Sequence, residues 1–281
     1  MSRARRRSGG SDDDAAGADE LNARRPRLAL GLLATVPLLL IYEASLAATG
    51  GERRNTAEVL VSLPLEPLGS SAAVVRVGVL LALLGALVWR ARSEHAHLGQ
   101  ALLRVLFEGF LAALCLGPAL LVAHGGFAHG MPPVDVPAGP SGRAPGLAEA
   151  GLLAGAGGWE ELVFRLLAYS LVYLLARHVA SFFGVPLAGA RIAGDVAGVL
   201  GSAALFAAFH LASFTAWLGP GGEPFDAPLF AWRFLGGLLL GLLFRWRGLG
   251  VAAWAHAVFN VALALGAGPG VFLGRGVDGG A

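Results

Sequence analysis

The stretch Trp159-Glu160-Glu161-Leu162-Val163-Phe164-Arg165 sets three ionisable groups inside an otherwise apolar run. A charge at the centre of a membrane span costs about 2.5–3.5 kcal/mol on insertion scales unless it is paired or has a task, so the cluster marks a functional site. Two later apolar runs carry polar groups that can answer it: His210 in one, His256 with Asn260 in the other. The reading of the chain turns on whether these runs cross a bilayer.

Composition says that they do. Of 281 residues, 56% are hydrophobic and 14% charged, and the mean hydropathy is +0.66. This is the profile of a polytopic membrane protein and excludes an ordinary soluble enzyme. All 21 basic residues are arginine, and the net charge of +2 comes largely from the first 27 residues, so no nucleic-acid partner is expected. The single cysteine, Cys115, rules out intramolecular disulfides and reads as a small packing residue. Gly194/Gly198 and Gly237/Gly241 have small-xxx-small spacing, which 42 glycines would also produce by chance.

Residues 1–27 combine arginine clusters with an acidic, Gly/Ser-rich middle and read as a disordered cytosolic tail. Apolar runs follow at 28–48, 72–89, 101–124, 148–176, 195–216, 228–245 and 249–267. Each is near or above the roughly 18–20 residues that a helix needs to cross about 30 Å of hydrocarbon. Backbone in lipid must satisfy its own hydrogen bonds, so the class is all-α, a transmembrane helical bundle. There are seven spans, or eight if 178–193, broken by Gly184 and Pro186, inserts as a re-entrant piece. The expected division is a tail (1–27), N-terminal transmembrane helices (28–124), a transmembrane core that holds the polar groups (148–267) and a short tail (268–281).

Orientation follows from arginines in short loops. With the N-terminus inside, its seven arginines and Arg90, Arg92, Arg177, Arg191, Arg245 and Arg247 are cytosolic, against Arg53, Arg54, Arg143 and Arg275 outside. An inner (plasma) membrane protein of a bacterium with a cytosolic N-terminus is expected.

On a helix, Glu161 and Arg165 at i and i+4 meet on one face, while Glu160 is turned about 100° from Glu161. The expectation is a buried Glu161–Arg165 pair that leaves Glu160 to face a cavity, where it suits a general base. The competing reading treats all three as packing groups or as a transport relay. Phe206 and His210 also stand at i and i+4, as do His256 and Asn260. The latter two are aligned donors that can hold an oxyanion, or a His can ligate a metal, or the pair can simply join helices. Counted from Gly146, Gly219 and Gly268, Glu160, His210 and His256 fall at depths of roughly 21, 14 and 18 Å, compatible with one shared cavity. Arg104 and Glu108 form a structural i, i+4 pair, whereas Glu43, Arg76 and Arg233 have no partner that the sequence can assign.

Glu160-Glu161-x-x-x-Arg165, Phe206-x-x-x-His210 and His256-x-x-x-Asn260, in this order on successive apolar runs, resemble the three motifs of the CAAX prenyl protease 2 and bacteriocin-processing (CPBP, or Abi) intramembrane proteases. The resemblance spans about residues 150–265 with every key position present. It implies that Glu160 and His210 activate water, that His256 and Asn260 stabilise the oxyanion, and that Glu161, Arg165 and Phe206 support the site. Such enzymes have been described both as metal-dependent and as metal-free. Glu160, His210 and His256 could hold Zn²⁺ with an open position, or the groups could work as a Glu/His pair. The defined oxyanion role of His256 and Asn260 favours the metal-free form.

The expected function is therefore an intramembrane endopeptidase acting on a membrane-associated, lipidated or hydrophobic protein or peptide, possibly one processed at its C-terminus. The alternatives are a non-enzymatic immunity or scaffold protein and, ranked lower for want of an inverted repeat, a proton-coupled transporter.

Overall fold

The computed structural model describes residues 9–51, 54–127, 144–219 and 222–266, with side chains from Leu28 onward except Phe127. Its helices are α1 (Gly9–Ala48), α2 (Thr56–Ser62), α3 (Ser71–Glu94), α4 (Leu98–Phe127), α5 (Leu147–Glu161), α6 (Ser170–Phe182), α7 (Leu187–Ala208), α8 (Ala212–Thr215), α9 (Ala227–Arg247) and α10 (Leu249–Ala264). A π-helical segment, Leu162–Tyr169, joins α5 to α6 without a break, making one 36-residue rod from Leu147 to Phe182. Among the described residues there is no strand, only an isolated bridge between Leu211 and Glu223.

Among the described residues, six helices are long and apolar enough to cross a membrane, and α10 is a shorter apolar one of 16 residues. Large apolar side chains such as Val74, Leu103, Leu171 and Ile192 face outward, as lipid-facing residues must. The chain is an integral, multi-pass membrane protein of about seven spans. At about 1.5 Å per residue α10 is only about 24 Å long, short of the hydrocarbon thickness. It does not have to match lipid, because α1, α4, α5 and α9 all pack against it. Its small side chains permit this: Ala252, Ala253 and Ala255 have no exposed surface.

Close approach of α5 to α10 depends on Gly157. A Cβ there would stand 2.9 Å from the backbone nitrogen of Ala257 and 3.2 Å from the carbonyl carbon of His256. Two of the sequence's spaced glycine pairs also lie at interfaces. Gly194 and Gly198 receive the rings of Tyr173 and Tyr169, and Gly237 and Gly241 meet α7 at Ala203 and Val199.

Several expectations are corrected. The helix reaches back to Gly9, through residues expected as a tail, since extending a formed helix costs far less than nucleating one. Residues 1–8 lie outside the described part. The piece at 178–193 is not re-entrant: α6 ends at Phe182, Gly184 turns with φ 79°, and Pro186 caps α7. The run expected at 195–216 is therefore a helix at 187–208, and His210 falls beyond its end rather than 14 Å deep within it. Cys115 is exposed on the outer face of α4 and does not pack in the core. Arg76 and Arg233 do have partners. Arg76 grips Glu43 through bonds of 3.0 and 2.9 Å, and Arg233 donates to Glu223 at 2.6 Å. Arg104 and Glu108 pair as read, and Arg247 joins them. The side chains of the N-terminal arginines and of Arg53, Arg143 and Arg275, on which the orientation count leans, lie outside the described residues.

Gly157→Ala should lower the thermal midpoint in detergent, by a stability loss of about 1–3 kcal/mol, because the opposing atoms are backbone and cannot give way. The control is Gly236→Ala, whose new Cβ would meet nothing nearer than a Leu120 methyl at 3.8 Å. That change should be neutral or slightly stabilising.

Candidate active site

Four of the sequence-derived residues touch directly. Glu161, at the end of α5, has no exposed surface; its Oε2 lies 3.2 Å from Arg165 Nε and its Oε1 2.8 Å from His256 Nδ1. Arg165, also fully buried, donates from Nη2 to the Gly237 carbonyl at 3.1 Å and sits 4.8 Å over the Phe206 ring. The pair expected from i, i+4 spacing is present, although the segment that carries Arg165 is π-helical. Short π segments inside α-helices occur frequently at functional sites. Glu160 points elsewhere: its Oε1 accepts a 2.7 Å hydrogen bond from Asn55 Nδ2, and its Oε2 lies 3.4 Å from His256 Nε2.

His256 thus stands between two carboxylates, one at each ring nitrogen. Glu160, Glu161 and Arg165 sum to a charge of −1 when ionised, and one proton held on the His256 ring or on a carboxylate would balance the group. A cluster that closes its own charge is the arrangement that an apolar bundle tolerates.

His210 is placed by the turn after α7. Its Nδ1 lies 2.8 Å from the Phe206 carbonyl, which can only accept. The ring proton is therefore on Nδ1, and Nε2 is left as an acceptor. Burial holds the His210 pKa below the usual imidazole value, with the Glu160 charge acting in the opposite direction. The Phe206 ring stands edge-on to both histidines, 4.9 Å from His210 and 5.7 Å from His256. Asn260, one turn beyond His256, donates from Nδ2 to the Leu153 carbonyl at 3.3 Å. Among the described residues no hydrogen bond joins His210 or Asn260 to Glu160; cavities bring them together instead.

The larger cavity has a volume of 490 Å³. Glu160, His210, His256 and Asn260 line its polar end, and Leu116, Leu120, Trp232, Leu240, Phe259 and Leu263 line an apolar arm between α4, α9 and α10. An adjoining cavity of 270 Å³ reaches toward Glu223 and Phe209. Asn55, Glu160 and His210 line both cavities and so stand at their junction.

Sequence reasoning missed Asn55, Arg54 and Tyr42, which also line the larger cavity. One signal was available for Asn55: Asn55 followed by Glu58 three residues later is a helix-start pattern, and Asn55 does cap α2. Among the described residues no three His, Cys, Asp or Glu side chains converge to hold a metal ion. The His256 nitrogens face Glu161 and Glu160, and His210 Nδ1 faces a carbonyl. As placed, Glu160, His210 and His256 do not converge on one point as a Zn²⁺ ligand set would.

Residues 146–262 match the family described as type II CAAX prenyl endopeptidase Rce1-like. The match opens at the residue that caps α5 and closes just past Asn260, so it contains every motif residue and leaves out Asn55. No curated protein and no solved structure matches the chain significantly.

Arg165→Ala should cut the amount of protein recovered in membranes and lower its thermal midpoint. It leaves Glu161 buried with His256 as its remaining partner, a loss of about 3–5 kcal/mol. Quantitative immunoblotting of membrane fractions and thermal unfolding in detergent would measure it.

Proposed function

We propose, from the match of residues 146–262 to a family of CAAX-protease-like endopeptidases, that this chain hydrolyses a peptide bond of a membrane-associated substrate, with Glu160 as general base. The observation that carries the reading is the asymmetry between adjacent carboxylates. Glu161 is enclosed between Arg165 and His256, whereas Glu160, held by the Asn55 amide and 3.4 Å from His256 Nε2, also opens onto two cavities.

A water at the cavity junction would lie between the Glu160 carboxylate and His210 Nε2. Glu160 takes a proton from it as the oxygen attacks the scissile carbonyl, forming a tetrahedral oxyanion. His256 Nε2–H and an Asn260 amide proton, on one face of α10, stabilise that charge. Glu160 then passes its proton to the departing amine as the C–N bond breaks. Both donors have ground-state partners, Glu160 and the Leu153 carbonyl, from which they turn as charge develops.

The apolar arm of the cavity suits a lipid chain or a hydrophobic peptide segment beside the scissile bond. With the N-terminus in the cytosol, helix alternation puts the end of the bundle that carries residues 54–70 and 209–226 on the non-cytosolic side. The cavity junction would then be reached from there. A bacterial plasma membrane fits this orientation.

Glu160→Ala should abolish cleavage while the protein still accumulates in the membrane, a loss of at least about 10²–10⁴-fold in rate. Terminal-peptide mass spectrometry comparing membranes that carry the intact chain or the variant at equal abundance gives the readout. Termini present with the intact chain should vanish with the variant, and unchanged termini would refute the peptidase reading.

His210 gives the pH dependence. The mechanism uses its neutral ring, and burial lowers its pKa; protonation is thus delayed to below the ordinary value of about 6.5. Cleavage should be flat with respect to this group near pH 7 and should fall on the acid side of about 6.5. A His210 limb above that value, measured as the part of the pH–rate profile removed by His210→Gln, would contradict the assignment.

A further inference from the structure

We infer that Asn55, which lies outside the family-matched segment, is a positioning residue that fixes the Glu160 carboxylate against water. The inference rests on the peptidase reading above and deepens it, by assigning to the N-terminal part of the chain a role in the reaction.

The orientation of the Asn55 amide is set by the local fold. Asn55 is the N-cap of α2, with extended backbone angles (φ −74°, ψ 138°), and its Oδ1 accepts from the Ala57 backbone nitrogen at 2.9 Å. A side-chain amide has one oxygen and one NH₂. With the oxygen taken by the helix start, the NH₂ is what faces Glu160, at 2.7 Å from Oε1. The opposite flip would set oxygen against carboxylate and N–H against N–H, losing both bonds. The Asn55 backbone nitrogen also donates to the buried Tyr42 hydroxyl at 2.7 Å. One residue is thereby tied to α1, α2 and α5.

The segment behind Asn55 is held by buried charge. Arg54 clasps Glu58 through two bonds of 2.9 Å. Glu58, with no exposed surface, also accepts from Ser62 Oγ at 2.6 Å and lies 3.4 Å from Arg76 Nη1. Arg76 reaches on to Glu43 of α1. This chain of ion pairs anchors α2 to α1 and α3, so the Asn55 donor meets Glu160 from a fixed base. Held at Oε1, the carboxylate cannot rotate freely between the two cavities, and its remaining lone pairs stay aimed at their junction. Misplacement of a catalytic group by about 1 Å can cost about 10²-fold in rate.

Capping and positioning can be separated by substitution, because Asp and Ser are as good at a helix N-cap as Asn while neither offers an amide donor to Glu160. The test uses the full chain in proteoliposomes, with the peptide whose terminus disappears from Glu160→Ala membranes as substrate. For Asn55→Ser and Asn55→Asp, kcat should fall about 10- to 100-fold with KM and the thermal midpoint near those of the unaltered chain. A residue that only capped α2 would leave kcat unchanged in both variants, and that result overturns the inference while the peptidase reading stands. A fall in KM-limited binding alone, with kcat intact, overturns it as well. If Glu160→Ala removes no terminus, the peptidase reading fails and this inference fails with it. Should Asn55→Asp not accumulate, Asn55→Ser decides, since it adds no charge beside Glu160.

Discussion

The interaction on which the rest depends is the burial of the Glu161 carboxylate between Arg165 and His256. Neither Glu161 nor Arg165 has any exposed surface, so both have exchanged water for protein partners. An unpartnered charge there would cost several kcal/mol, and the helices that supply the partners must therefore pack where they do. The π segment brings Arg165, α10 brings His256, and α9 brings the Gly237 carbonyl. The Phe206 ring from α7 closes the group beneath the guanidinium. Four parts of the bundle meet at this one buried ion pair.

That constraint explains why a helix as short as α10 can serve. A span exposed to lipid must match the hydrocarbon thickness, but one enclosed by other helices needs only small side chains and a close fit. Gly157 and the alanines of α10 provide both. The same close fit sets His256 Nε2 within 3.4 Å of Glu160. The packing that stabilises the bundle and the geometry that arms the site are one arrangement. The apolar arm of the cavity begins where α10 turns larger side chains, Phe259 and Leu263, toward α4 and α9.

Much of this was legible in the sequence, and the reasons differ from residue to residue. The spans show because lipid demands long apolar runs, and Glu160, Glu161, Arg165, His256 and Asn260 show because polar groups are rare in them. The Glu161–Arg165 pair could be read from helix periodicity alone. The start of α7 was mislaid because Arg191 and Asp195 interrupt its first three turns, and its end because Phe209-His210 carries no glycine or proline. The Glu43–Arg76 pair joins residues far apart in sequence, and no local rule assigns it. Asn55 was passed over because it sits in a connection between spans, where a polar residue is ordinary. Its contact with Glu160 bridges 105 positions.

Two adjacent glutamates in one site raise the question of how they acquire different tasks. Their environments answer it through the kind of partner each receives. Glu161 is met by a guanidinium and an imidazole, so its charge is matched. Glu160 is met by the amide of Asn55, a neutral donor that orients the carboxylate without cancelling its charge. A cation in that place would hold the group as firmly and would quench it as a base; an apolar wall would leave it charged but free to rotate. At the Asn55 position a neutral donor orients the carboxylate and leaves its charge in place. The α2 segment supplies that donor from outside the motif-bearing helices, and the chain of ion pairs from Arg54 through the buried Glu58 and Arg76 to Glu43 holds α2 in place. In the proposed mechanism the labour is divided between the two halves of the chain: helices 147–264 carry the reacting groups, and residues 54–62 set the one that would react first.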